Sequence, residues 1–204
     1  MSLMRTAVGR YPVALFDEDE MRNLIAAIAF AAEKHRNQRR KDPDASPYVN
    51  HPIALIEVLA NEANVEDETV LVAAILHDTL EDTDTSAEEL ANFFGQVVAD
   101  IVCEVSDDKT LSKNERKQLQ IQRASNSSRL AKLVKIADKI CNLRDLTSAP
   151  PVGWSEERKQ AYCDWAKAVV DQLRGVHPTL EQLFDEAYLT SNRERHRWNP
   201  RDAV

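Results

Sequence analysis

In the segment AAILHDTLEDTD (residues 73–84) an apolar helical run meets a dense cluster of ionisable groups. Asp67 can cap the helix that carries Val70, Leu71, Ala74 and Ile75. His77 follows seven residues after Val70 and four after Ala73, which places it on the same packed face. At helical spacing His77 pairs with Glu81, and Asp78 with Asp82. Positions 77, 78, 81, 82 and 84 thus crowd imidazole and carboxylate groups that repel one another unless a cation sits among them. A lone buried histidine is usually a satisfied core residue, but adjacent His-Asp followed by Glu-Asp is harder to explain that way. One nitrogen with several carboxylate oxygens suits Mn²⁺, Fe²⁺ or Zn²⁺, and the lack of thiolates favours Mn²⁺ over structural zinc.

The helical period runs through most of the chain. Asp17-x-x-Glu20 reads as a capping box ahead of Met21, Leu24, Ile25, Ile28 and Ala32. Ser86-x-x-Glu89 reads as another, before a stripe from Leu90 to Val105 that kinks near Gly95. Ser127 or Ser128 starts a helix with Leu130, Leu133, Val134, Ala137 and Cys141, and Asp138 interrupts that apolar stripe. A carboxylate there needs a partner or a metal, and a buried salt bridge serves as well as a ligand role. Ser155 caps a helix ending near Gly175, and a last helix spans about Pro178 to Leu189.

The pattern predicts one all-α domain, a compact helical bundle over residues 17–190. An N-terminal extension, 1–16, precedes it and a polar tail, 191–204, follows. Only 4 glycines in 204 residues argue against hairpin-rich sheets. No run approaches the ~20 apolar residues that cross a bilayer, and Arg10 and Pro12 break any signal-like core. Cys103, Cys141 and Cys163 are odd in number and widely spaced, as expected of reduced thiols in a cytoplasmic protein with no membrane partner.

Charge is segregated along the chain. Residues 60–108 carry fourteen acidic residues and no Lys or Arg, whereas residues 109–144 have a net charge of +8. Arg39, Arg40 and Lys41 form a second basic cluster. Solvated helix faces explain most such runs. The sharper reading is an acidic pocket holding a cation beside a basic rim that receives a small anion. Nucleic acid fits poorly, because the whole chain is acidic and no aromatics interleave with the basic block.

Taken together, QRRKDPDASPYVNHP, ILHDTLEDTD, VSDDKTL, KLVKIADKICNLRDL and GWSEERKQAYCDWA resemble the HD superfamily of metal-dependent phosphohydrolases. Within it they are similar to the small, hydrolase-only relatives of the Rel/SpoT alarmone enzymes, over about Phe30 to Val170. The resemblance implies metal ligation, expected for Mn²⁺, by His51, His77, Asp78 and Asp138. It implies that Glu81 and Asp82 position and activate the attacking water. It assigns nucleotide contacts to Arg40, Lys41, Tyr48 and Asn142, phosphate contacts to Lys113 and Arg116, and further pocket contacts to Arg158 and Tyr162. His35 is then packing or a donor behind the ligands, and Lys139 and Cys141 stand where longer relatives often carry Arg and His.

The implied reaction is hydrolysis of guanosine 3′,5′-bis(diphosphate), ppGpp or pppGpp, to GDP or GTP and pyrophosphate. The chain is too short to add a synthetase domain, so the resemblance implies degradation alone. An NADPH 2′-phosphatase, another nucleotide phosphohydrolase, or an alarmone-binding regulator without catalysis are the competing readings. The sequence leaves the oligomeric state open.

Overall fold

The computed structural model describes residues 18–197, with side chains through Asn192. The cap expected from Asp17, the extension 1–16 and the residues beyond Arg197 lie outside the described residues. In chain order the helices are α1 (Glu18–Lys34), α2 (Asn50–Ile56), α3 (Glu68–Leu76), α4 (Thr79–Asp82), α5 (Ala87–Phe94), α6 (Gln96–Val105), α7 (Lys113–Ala124), α8 (Arg129–Ser148), α9 (Glu156–Asp171) and α10 (Pro178–Arg197). A π-helical turn, Glu57–Glu62, continues α2. No strand forms among the described residues, and one antiparallel bridge joins Arg39 to Pro47. The all-α bundle expected from the sequence is the fold observed.

Helix α3 is the centre of the bundle. Every residue from Val70 to Leu76 is buried, so the helix is apolar all round rather than amphipathic. It packs against α1, α2, α6 and α8. Asp67 caps it as expected, accepting from Thr69 N at 3.0 Å. Helix α8 is the second long support, lying against α10, α9, α6, α2 and α3. Its cap is Ser128, which accepts from Ala131 N at 3.2 Å.

Several boundaries differ from the sequence expectation, each for a local reason. The stripe through Gly95 does not kink but breaks into α5 and α6, because Gly95 takes φ +89°, which suits a residue without Cβ. Only half of the Ser86–Glu89 box forms. Ser86 Oγ accepts from Glu89 N, while the Glu89 carboxylate turns to Lys34 at 3.1 Å. Helix α9 stops at Asp171, ahead of Gly175, and α10 runs to Arg197, past the expected Leu189. Helix α7, with its Ser112–Glu115 capping box, was not foreseen because its strongly polar sequence offers no wide apolar stripe.

Candidate active site

The buried run of α3 does not continue through the His-Asp pair. Two side chains take the carbonyls that a continuing helix would use. His77 Nδ1 lies 2.8 Å from Ala74 O, and Thr79 Oγ1 donates to Leu76 O at 2.7 Å. The chain turns at His77 and Asp78 and starts the short α4. Of the expected helical pairs, His77 with Glu81 and Asp78 with Asp82, the one-turn relation of Asp78 to Asp82 survives as a backbone bond, Asp82 N donating to Asp78 O at 2.8 Å, but the side chains find other partners. His77 faces Asp78, with its Nε2 2.9 Å from Asp78 Oδ2, and Glu81 faces Arg116 of α7 and Lys109 just before it.

Three elements converge here. His51 rises from α2, His77 from the end of α3 and Asp138 from the middle of α8. Their ligand atoms lie within 4.8 Å of one another, a grouping able to hold a metal ion. His51 Nε2 is 3.2 Å from Asp138 Oδ1, and the two imidazole rings are 5.3 Å apart. Asp78 stands just outside this trio, with Oδ2 accepting from the Tyr48 hydroxyl.

The donor set passes a physical test for a divalent ion. Nδ1 of His77 is committed to a backbone carbonyl, which leaves Nε2 as the ligand nitrogen of the neutral ring. That Nε2 is buried and makes no well-directed hydrogen bond, despite its closeness to Asp78. An oriented imidazole beside carboxylates, with its free nitrogen aimed at them, is the chemistry of a metal ligand.

Electrostatics reinforce the arrangement. Burial would raise the Asp138 carboxyl, but Lys139 and His51 outweigh it and hold it well below the usual carboxylate range. Lys139 Nζ donates to Asp138 Oδ2 at 2.7 Å, and Asn142 Nδ2 donates to Oδ1 at 2.6 Å. Burial pushes Glu81 upward, and the carboxylates of Asp78, Asp107 and Asp82 add to the effect, against a hydrogen bond from Asp107 N. Glu81 Oε2 accepts that bond at 3.2 Å, while Oε1 lies 3.4 Å from Arg116. Asp82 is held between Lys109 on Oδ1 and Gln38 on Oδ2.

Above these groups opens a cavity of about 700 Å³, and a second of about 340 Å³ reaches down to His77, Asp78 and Asp138. Arg40, Lys41, Tyr48, His51, Glu81, Asp82, Asn142 and Tyr162 line both, so six of the sequence-selected residues and the two carboxylates share one space. Arg116 lines the larger one. Lys113 and Arg158 stand farther out, in a third chamber of about 240 Å³ shared with Lys117, Trp154 and Trp165. Trp165 is partly buried and borders this chamber as well. His35 is buried behind Tyr48, its ring 4.8 Å away.

Sequence reasoning passed over several residues here. Asp145 pairs with the Arg40 guanidinium, which also lies 5.7 Å from the Tyr48 ring. Trp154 carries Arg158 on its face at 4.2 Å. Partly buried Lys135 donates to Val105 O at 2.6 Å, and desolvation pushes its ammonium down to about 8. Lys109 and Gln38 grip Asp82. Their signal was present only as membership of the basic block, or in Gln38 as a polar neighbour of Arg39 and Arg40.

The fold and the His-Asp cluster together define a class, and residues 27–167 match the family model described as HD domain. The chain belongs to the HD-domain family. Its relatives narrow this further. It is 52% identical over 166 residues to the guanosine-3′,5′-bis(diphosphate) 3′-pyrophosphohydrolase MESH1 of Xenopus tropicalis, covering 81% of this chain and 93% of the relative. It is 53% identical over 175 residues to the MESH1 of Homo sapiens, covering 84% and 98%. A solved structure described as a metazoan ortholog of SpoT that hydrolyses ppGpp superposes with a TM-score of 0.81. That match has 49% identity and covers 89% of this chain and 98% of the other.

Proposed function

We propose that this protein hydrolyses guanosine 3′,5′-bis(diphosphate), as ppGpp or pppGpp, to GDP or GTP and pyrophosphate. The observation that carries the reading is the joined cavity, which sets a ligand cluster and two carboxylates against a cationic rim. No helix among the described residues is long and apolar enough to cross a membrane. We place the activity in the cytoplasm, in keeping with three free cysteines.

His51, His77 and Asp138, with Asp78 completing the set, would hold the divalent ion. A thiolate-free nitrogen and oxygen set favours Mn²⁺. Once bound, such an ion supplies Lewis acidity, polarising a phosphoryl oxygen and making water a better nucleophile.

The chain's own residues do the rest. Glu81, with its raised proton affinity, accepts a proton from the attacking water, and Asp82 orients that water. The new bond forms to the phosphorus attached to the ribose 3′-oxygen, the bond between them breaks, and that oxygen takes up a proton from solvent to leave as the 3′-hydroxyl. Arg40, kept charged and in place by Asp145, offers a flat guanidinium to the base beside Tyr48, and Asn142 offers a polar contact to the nucleoside. Lys41, Lys113, Arg116 and Arg158 supply charge-assisted contacts to the phosphates, and Tyr162 walls the space between chambers.

Purified, metal-stripped protein incubated with ppGpp should release pyrophosphate only when Mn²⁺ is added. The His77→Ala/Asp78→Ala variant should release none. Binding of ppGpp without turnover would favour a regulator, and phosphate release from NADPH alone would move the substrate to 2′-phosphorylated dinucleotides.

A further inference from the structure

Asp82 is gripped from two sides by unlike donors. On Oδ1 sits Lys109, a half-exposed cation. On Oδ2 the amide of Gln38 donates at 2.8 Å. A carboxylate only accepts, so the Gln38 nitrogen must face Asp82 and its carbonyl oxygen must face away. That oxygen lies 2.7 Å from Nδ1 of His35, which must therefore carry the ring proton. His35 is 2% exposed, and its Nε2 is buried with no hydrogen-bond partner among the described residues. The ring leans on Tyr48, whose hydroxyl donates to Asp78. One buried histidine thus stands behind both a catalytic carboxylate and a metal-side carboxylate.

We propose that Gln38, oriented by His35, is a positioning residue that fixes the Asp82 carboxylate for the hydrolytic step. The assignment rests on the proposed function, because Asp82 matters to rate only if water attacks here. Gln38 lines the larger cavity, but its amide is committed at both ends, so it acts through Asp82. An uncharged donor holds the rotamer without adding a second cation to the one Lys109 brings. A group locked by its neighbours keeps the reacting geometry that a mobile carboxylate would lose.

Two full-length variants separate positioning from packing. Gln38→Met keeps the length and removes both amide groups. Gln38→Glu keeps the shape but replaces the donor by an acceptor. Both should lower kcat for ppGpp about ten- to hundredfold with divalent-ion affinity unchanged. KM should stay within about twofold of the parent. Parental kcat in either variant, or a rise in KM alone, overturns the assignment. If the parent protein leaves ppGpp intact, the functional reading fails separately, and the relay is then judged on His35 itself. With a diamagnetic divalent ion bound, ¹⁵N spectra should show the Nδ1–H tautomer in the parent and its loss in Gln38→Met. An Nε2–H ring in the parent overturns the relay.

Discussion

The ligand cluster and the basic rim are both charged, yet the chain supports them in different ways. His51 and His77 are 4% and 5% exposed and grow from helices that also carry Leu55 and Leu76 into the core. Each of their charged neighbours has a protein partner within hydrogen-bond reach. The rim is built on α7, α9 and the loop before α2, where Lys41, Lys113 and Arg158 are exposed and the last two lie over the face of Trp154. On the proposed function, chemistry is anchored in the core of the bundle, whereas recognition is mounted on elements that meet solvent. Changes at the first should stop turnover, and changes at the second should move affinity.

The severest break in that division is His77→Ala, which should remove Mn²⁺-dependent hydrolysis to background and weaken ion binding by calorimetry. Next is Glu81→Gln, expected to cut kcat by about 10²–10⁴ while ion affinity stays near the parent value. In the role proposed for it Glu81 must be unprotonated to accept a proton, and its carboxyl is pushed upward by burial and nearby carboxylates. In the parent, kcat should therefore fall as pH drops through a point above the ordinary carboxylate range. That acid limb should vanish from the residual rate of Glu81→Gln.

On the rim, Arg158→Ala should raise KM about tenfold and leave kcat largely intact, as for loss of one partly solvated charge-assisted contact. Added salt should raise KM in the parent more than in this variant, because exposed charges are screened. A fall in kcat without a change in KM would show that the rim takes part in the chemical step. The smallest effect is at Ser112→Ala, which removes half of the α7 capping box. It should cost about 1 kcal/mol of stability in a thermal or denaturant melt and barely touch ion affinity.

The same division explains what could be read in the sequence. Buried elements announce themselves through period and caps: Asp67, Ser128 and Ser155 all cap where expected, and the misfit of Asp138 in its apolar stripe pointed to a partner across the bundle. The break after Leu76 was hidden, because it depends on His77 and Thr79 side chains capturing backbone carbonyls, which spacing does not reveal. The rim was legible only as charge. Whether Lys113 shares a chamber with Tyr162 or with His51 is decided by how α7 docks on α9, a contact between sequence-distant surfaces. The pairing of Gln38 with Asp82 spans 44 positions and left no periodic trace.

The loop between α1 and α2 is cinched at its base. Arg39 bridges Pro47, Arg40 N donates to Ser46 O at 2.9 Å, and Tyr48 N donates to Gln38 O at 3.2 Å. Below that buckle sit Gln38 and Tyr48, which grip carboxylates. Above it Lys41 O accepts from Val152 N at 2.8 Å, next to the rim. The buckle separates the residues that hold the carboxylates from those that face the rim. Lys41, Asp42 and Ser46 line the cavity on the rim side, while Gln38 and Tyr48 stay at the carboxylates. Substitutions confined to positions 41–46 are therefore expected to act on the rim side of the cavity and to leave the grip on Asp78 and Asp82 in place.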